Sequence, residues 1–166
     1  MGWLYTKDMK DIRYMRNPET TKYAKELVKE LEQIKDTKEF EDFLKRNEKE
    51  MHGESFGDSV LRLCAKYKIT AALLQPRIAM SKSQFYNLLN GSRHPSKESV
   101  IKIAFGLKAT QAELNELLYA AGYCGLDPRR KEDAIILFGL SQQKEVGKID
   151  ELLREYNSKI RLVDKE

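Results

Sequence analysis

Apolar residues recur along this chain at spacings of three and four, the signature of helices with one buried stripe. Tyr23, Leu27, Leu31 and Ile34 form the first stripe. It follows Asn17-Pro18, a good capping residue and then the residue best suited to a first helical position. Asp36-Thr37 interrupts, Phe40, Phe43 and Leu44 mark a second short helix, and the polar residues 45–54 read as a linker ending near His52-Gly53. Ser55 and Asp58 make a capping box before a helix whose buried face is Val60, Leu61, Leu63, Cys64 and Tyr67. Pro95-Ser96 opens a helix with Val100, Ile101, Ile103, Ala104 and Leu107 inward. Thr110 and Glu113 form a second capping box, for a helix carrying Leu114, Leu117, Leu118 and Ala121 and ending at Gly122. No segment sustains period-two alternation, and Asn90-Gly91 follows a helical pattern instead of joining two β-branched runs. The pattern predicts an all-α protein.

The tail carries a weak internal echo. Phe105-Gly106-Leu107 followed by Asn115-Glu116-Leu117-Leu118 returns as Phe138-Gly139-Leu140 followed by Asp150-Glu151-Leu152-Leu153. Two such copies predict a helical hairpin packed on a helical hairpin, too few for a solenoid. A turn is expected at residues 125–128. Residues 134–138 read as core, any exposed part being able to pair subunits. Trp3, Tyr5, Met9, Ile12 and Met15 could form an amphipathic N-terminal helix, serving as core or as a partner surface. The expected organisation is an N-terminal helical extension (1–54), a central domain (55–122) and a C-terminal helical hairpin (123–166).

Residues 68–96 hold the most informative chemistry. Two short helices fit, separated by a tight turn at Ala79-Met80-Ser81, with Ser81 capping the second. Met80, Phe85, Leu88 and Leu89 point inward, leaving Lys82, Ser83, Gln84, Tyr86 and Asn87 on or near the outer side. Lysine can donate to guanine, Asn and Gln pair with adenine through both edges of the amide, and Tyr can reach a phosphate or a thymine methyl. No acidic residue lies between Arg77 and Lys97. Charge sharpens this picture. The 166 residues carry a net charge of +4, whereas residues 58–111 alone hold nine basic and two acidic side chains. That middle third would attract a polyanion, since neutralising phosphates releases condensed counterions.

The segment resembles the helix-turn-helix of the phage-repressor (XRE) family, in gapless register over residues 69–96. The match is strongest at Ser81-Lys82-Ser83, at Leu88 and at Asn90-Gly91-Ser92-Arg93-His94-Pro95-Ser96. The resemblance extends to residues 56–122 as a five-helix domain, flanked by helical N-terminal and C-terminal extensions. It implies a transcriptional regulator that binds double-stranded DNA as a homodimer. It also implies base contacts from Lys82, Ser83, Tyr86 and Asn87, to which the outward polar position of Gln84 adds a further candidate. By the same resemblance Lys66, Thr70, Arg93 and Lys97 would lie near phosphates; Ser81 at the cap and His94 in the turn after the helix are further candidates for phosphate contact. The chain departs from the family at Ala71, where Gln usually contacts phosphate, and at Gln75, where a small buried residue is usual. Pro76 lies inside the scaffold helix and predicts that this helix is shortened or kinked.

These departures motivate an alternative, a helical adaptor or antitoxin-like module that keeps the fold and binds protein through its flanking helices. Neither reading involves catalysis. His52 and His94 do not combine with Ser or Cys into a nucleophilic set, no phosphate loop is present, and two Cys make neither a metal site nor a disulfide framework. Cys64 is expected buried and Cys124 exposed. No cofactor is expected. The start lacks the pattern of a secretory leader, and no apolar run approaches the length of a membrane span. The sequence therefore reads as a cytoplasmic protein with no membrane partner.

Overall fold

The computed structural model describes residues 18–51 and 54–164. Asn17, the Trp3 to Met15 pattern and the His52-Gly53 pair lie outside the described residues, as does the side chain of Tyr23. Among the described residues all regular structure is helical: nine α-helices, one 3-10 turn and no strand. The chain divides into two compact units at Gly53/Glu54.

In the first unit, α1 spans Pro18–Gln33 and α2 spans Thr37–Met51. The break between them is chemical: the Asp36 carboxylate accepts the Glu39 N–H at 2.8 Å and caps α2. The expected linker over 45–54 is instead helical as far as Met51. Lys45, Arg46 and Glu48 are good helix formers, Arg46 pairs with Glu30, and the Asn47 amide donates to the Phe43 carbonyl at 2.9 Å. Phe43 is buried, whereas Leu31, Phe40 and Leu44 remain about two-fifths exposed (40%, 40% and 38%).

The second unit begins with α3, Phe56–Lys66, capped by the Ser55 hydroxyl accepting from the Asp58 N–H at 3.1 Å. Next come α4, Ala71–Leu74, and a 3-10 turn, Gln75–Arg77. This is the shortening that Pro76 predicts: proline offers no N–H, and the helix tightens at that point. Then follow α5, Lys82–Leu89, α6, Lys97–Leu107, and α7, Gln111–Ala120. The last pair is α8, Lys131–Ser141, and α9, Val146–Glu155. Helix α3 lies against α4, α5 and α7; α7 pairs with α6 and α8, and α8 with α9.

One core serves the whole unit. It joins Val60, Leu63, Leu74, Phe85, Ile101 and Leu117 from the earlier helices to Leu126, Ile136, Ile149, Leu153 and Leu162 from the later segment. The punctuation at Gly122 and 125–128 thus marks a helix end and a turn within one packed body. The inward positions of α6 and α7 are buried as their stripes predict. On α3, however, Leu61 is 45% and Tyr67 37% exposed. The α3 stripe is narrower than its apolar residues suggest, because only Val60, Leu63 and Cys64 share the side facing α5 and α7 with Phe56.

Two hairpins, α6–α7 and α8–α9, each pair an 11-residue helix with a 10-residue helix. Their matched glycines do different work. A Cβ on Gly106 would meet Ile78 of the scaffold segment at 2.9 Å, whereas one on Gly139 would meet Ile149 of its own hairpin partner at 2.4 Å.

Candidate nucleic-acid interface

Helix α5 is placed by three local devices. Ser81 caps it, accepting the Gln84 N–H at 3.2 Å, while Gln84 Oε1 accepts the Ser81 N–H at 3.1 Å, a reciprocal capping box. The amide of Gln75 donates to the Met80 carbonyl at 3.2 Å and so ties the 3-10 turn to the approach of α5. At the other end, Gly91 takes φ +78°, a conformation glycine adopts without a Cβ penalty. The Arg93 N–H then folds back to the Asn87 carbonyl at 3.1 Å. A fourth contact fixes depth: a Cβ on Gly57 would stand 2.0 Å from the Leu89 carbonyl oxygen, so α3 and α5 meet backbone to backbone.

With Phe85 and Leu88 buried, α5 can present only its opposite side. Lys82, Ser83 and Asn87 are exposed there. Gln84 is exposed as well, but its acceptor oxygen is engaged in the cap, which weakens the two-edged amide contact that adenine requires. Tyr86 is half-buried, packed against the core with its ring edge-on to Phe85 at 5.5 Å.

The six residues expected at phosphates fall into two groups. Ser81, Thr70, Arg93 and His94 are exposed near α4 and α5. Ser81 and Thr70 are both N-caps, the latter accepting the Leu73 N–H at 3.2 Å. The His94 ring lies 5.9 Å from that of Tyr123. Lys66 and Lys97, by contrast, are held by carboxylates. Lys66 pairs with Glu113, which also accepts the Tyr67 hydroxyl at 2.6 Å and the Thr110 N–H at 2.8 Å. Burial pushes the Glu113 carboxyl up, but its bonds from Lys66, Tyr67 and Thr110 together hold it below the ordinary glutamate range. Burial and the same carboxylate push the Tyr67 phenol up to about 12. Lys97 pairs with the buried Asp133 at 3.5 Å.

Of the nine basic residues in 58–111, Arg62 is also paired, with Glu54 and Glu116, each at 3.0 Å. Lys102 donates to the Ala79 carbonyl at 3.2 Å. Lys68, Arg77, Lys82, Arg93 and Lys108 form no ion pair among the described residues. Arg77, on the turn before α5, is therefore an exposed cation on the same segment. The resemblance did not single it out, although the charge pattern contains it.

Cys64 is buried, which raises its thiol pKa, and Cys124 is exposed. Among the described residues no cluster of three or more His, Cys, Asp or Glu could hold a metal, and no helix is long and apolar enough to cross a membrane. Compared with known proteins, the chain matches no family model, no curated protein and no solved structure.

Proposed function

We propose that this protein is a sequence-specific DNA-binding transcriptional regulator, a homodimer that reads the major groove with α5. The observation that carries the reading is the composition and exposure of that helix. Lys82, Ser83 and Asn87 are exposed on its first turns, while Phe85 and Leu88 lock the opposite side into the core. Arg77 and Arg93 flank it, both exposed and without an ion pair among the described residues. No carboxylate lies between Arg77 and Lys97. A backbone-guided cation set beside donor and acceptor side chains is what base readout requires: phosphate contacts set the register and α5 reads the edges. A two-fold dimer would place its two α5 helices about one DNA turn, roughly 34–36 Å, apart.

The test is selection of binding sites from a random duplex pool by the full chain. The expected result is an enriched site made of two related half-sites. Lys82→Ala and Asn87→Ala should each relax discrimination at one base position, by about 1–3 kcal/mol. Absence of any enriched sequence removes the proposal.

A second reading, a protein-interaction module, is favoured by a specific observation: Lys66, Lys97 and the Gln84 acceptor are occupied within the chain, and Leu31, Phe40 and Leu44 stay exposed on the first unit. It expects the same selection to fail while the folded chain forms a stoichiometric complex with a protein partner.

A further inference from the structure

We infer that the C-terminal hairpin supplies part of the DNA-backbone surface, through Arg130 at the turn leading into α8. The inference rests on the DNA-binding reading and extends it to a partner contact outside the helix-turn-helix segment. As the first residue of α6, Lys97 stands where the resemblance calls for a phosphate contact, yet its ammonium group faces Asp133 at 3.5 Å. Asp133 is 3% exposed, so that pair is anchored in the body of the protein.

The same aspartate organises its own turn. Its second oxygen accepts the Asp127 N–H at 2.9 Å, and the Arg130 N–H donates to the Asp127 carbonyl at 2.9 Å. The turn carrying Asp127-Pro128-Arg129-Arg130-Lys131 is thereby fastened to the first turn of α6. A second tie lies alongside. The Tyr123 hydroxyl donates to the Pro95 carbonyl at 2.9 Å, and its ring lies tilted beside that of His94, 5.9 Å between centres. Residues 93–97 and residues 123–133 therefore form one continuous edge.

The three cations of the turn are not equivalent. Arg129 is bound by Asp127 through its Nε at 3.0 Å and Nη2 at 2.9 Å. The Lys131 ammonium sits 5.5 Å from the Tyr156 ring centre, directed to α9. Arg130 is exposed and forms no ion pair among the described residues. The Lys97–Asp133 pair engages one cation of the edge and at the same time fastens to α6 the turn that carries Arg130. A guanidinium suits the position, because its planar fork can hold two oxygens of one phosphate.

The experiment measures affinity for the selected duplex over a salt series with the full-length protein and its Arg130→Ala, Lys131→Ala and Arg93→Ala variants. Loss of one phosphate contact should lower the slope of log affinity against log salt by about 0.9. Arg130→Ala should show that loss, weaken selected and scrambled duplexes by the same factor, and leave the selected sequence unchanged. Lys131→Ala should match the parent. If Arg130→Ala superimposes on the parent while Arg93→Ala lowers the slope, the inference is overturned and the regulator reading stands. If the parent protein selects no duplex, both are overturned.

Discussion

Gln84 has the right side chain for an adenine and a different structural task. Its amide oxygen closes the capping box with Ser81. Gln84→Ala should therefore lower stability by about 0.5–1.5 kcal/mol in urea unfolding while the selected DNA sequence stays the same. A changed base preference with unchanged stability would assign Gln84 to the bases instead. Ser81 is legible in the sequence as a cap; the reciprocal bond from Gln84 is seen only in the structure, because the outward face of α5 groups Gln84 with its other polar residues. The fate of Lys66 was not legible in the same way. Its partner Glu113 lies on α7 and meets it only because α3 packs there. That cluster gives a pH prediction. Glu113 is held below its ordinary value when folded, so its contribution is complete above the unfolded pKa and is lost as pH falls through the folded one. Glu113→Gln should flatten the acid limb of the stability profile, as read by denaturation at a series of pH values below neutrality. An acid limb identical to the parent's would mean the cluster is not a source of acid sensitivity.

Every α-helix of the second unit except α4 ends in one geometry. Lys68, Gly91, Lys108, Gly122, Gln143 and Asn157 all take positive φ just beyond a helix. Gly122 and the Asn90-Gly91 pair announce this in the sequence; lysine and glutamine do not, since they enter the left-handed region only when packing on both sides fixes the chain. Gln143, at φ 50° and exposed, carries that strain without an evident side-chain return. Gln143→Gly should raise stability by about 1 kcal/mol, seen as a shift of the urea midpoint with the slope unchanged. A loss of stability would show that Gln143 makes a contribution beyond its backbone. Gly57 is the opposite case, since the added Cβ would collide with the Leu89 carbonyl oxygen. Gly57→Ala should destabilise by about 1–3 kcal/mol and weaken DNA binding by tilting α5, both measurable on the same protein preparation. Stripes with regular spacing are legible on α6 and α7, where Val100, Ile101, Ile103, Ala104, Leu107, Leu114, Leu117, Leu118 and Ala121 are all buried. Residues 45–51 read as linker from sequence because a helix of charged residues shows no stripe, although Lys, Arg and Glu favour the conformation and a salt link to α1 supports it.

For the molecule as a whole, charge and core are distributed on different principles. The core runs through residues 56–162 without a seam, so the later hairpin is part of the framework that holds α6 and, through it, the scaffold segment. The charge excess of the middle third is partly consumed internally by Glu54, Glu113, Glu116 and Asp133. What remains unpaired among the described residues is Lys68, Arg77, Lys82, Arg93 and Lys108, of which Arg77, Lys82 and Arg93 lie on or beside α5. Counting residues along the chain locates the basic third; only the fold separates the cations that are bound from those that are available. The account therefore stands or falls on whether α5 reads sequence. The direct measurement is fluorescence anisotropy of the full chain with its selected duplex and with a scrambled duplex of the same composition, across a salt series. The account predicts that both affinities fall steeply with salt, that the selected duplex stays favoured throughout, and that Asn87→Ala narrows the gap between them. Equal affinity for the two duplexes at every salt concentration would contradict it.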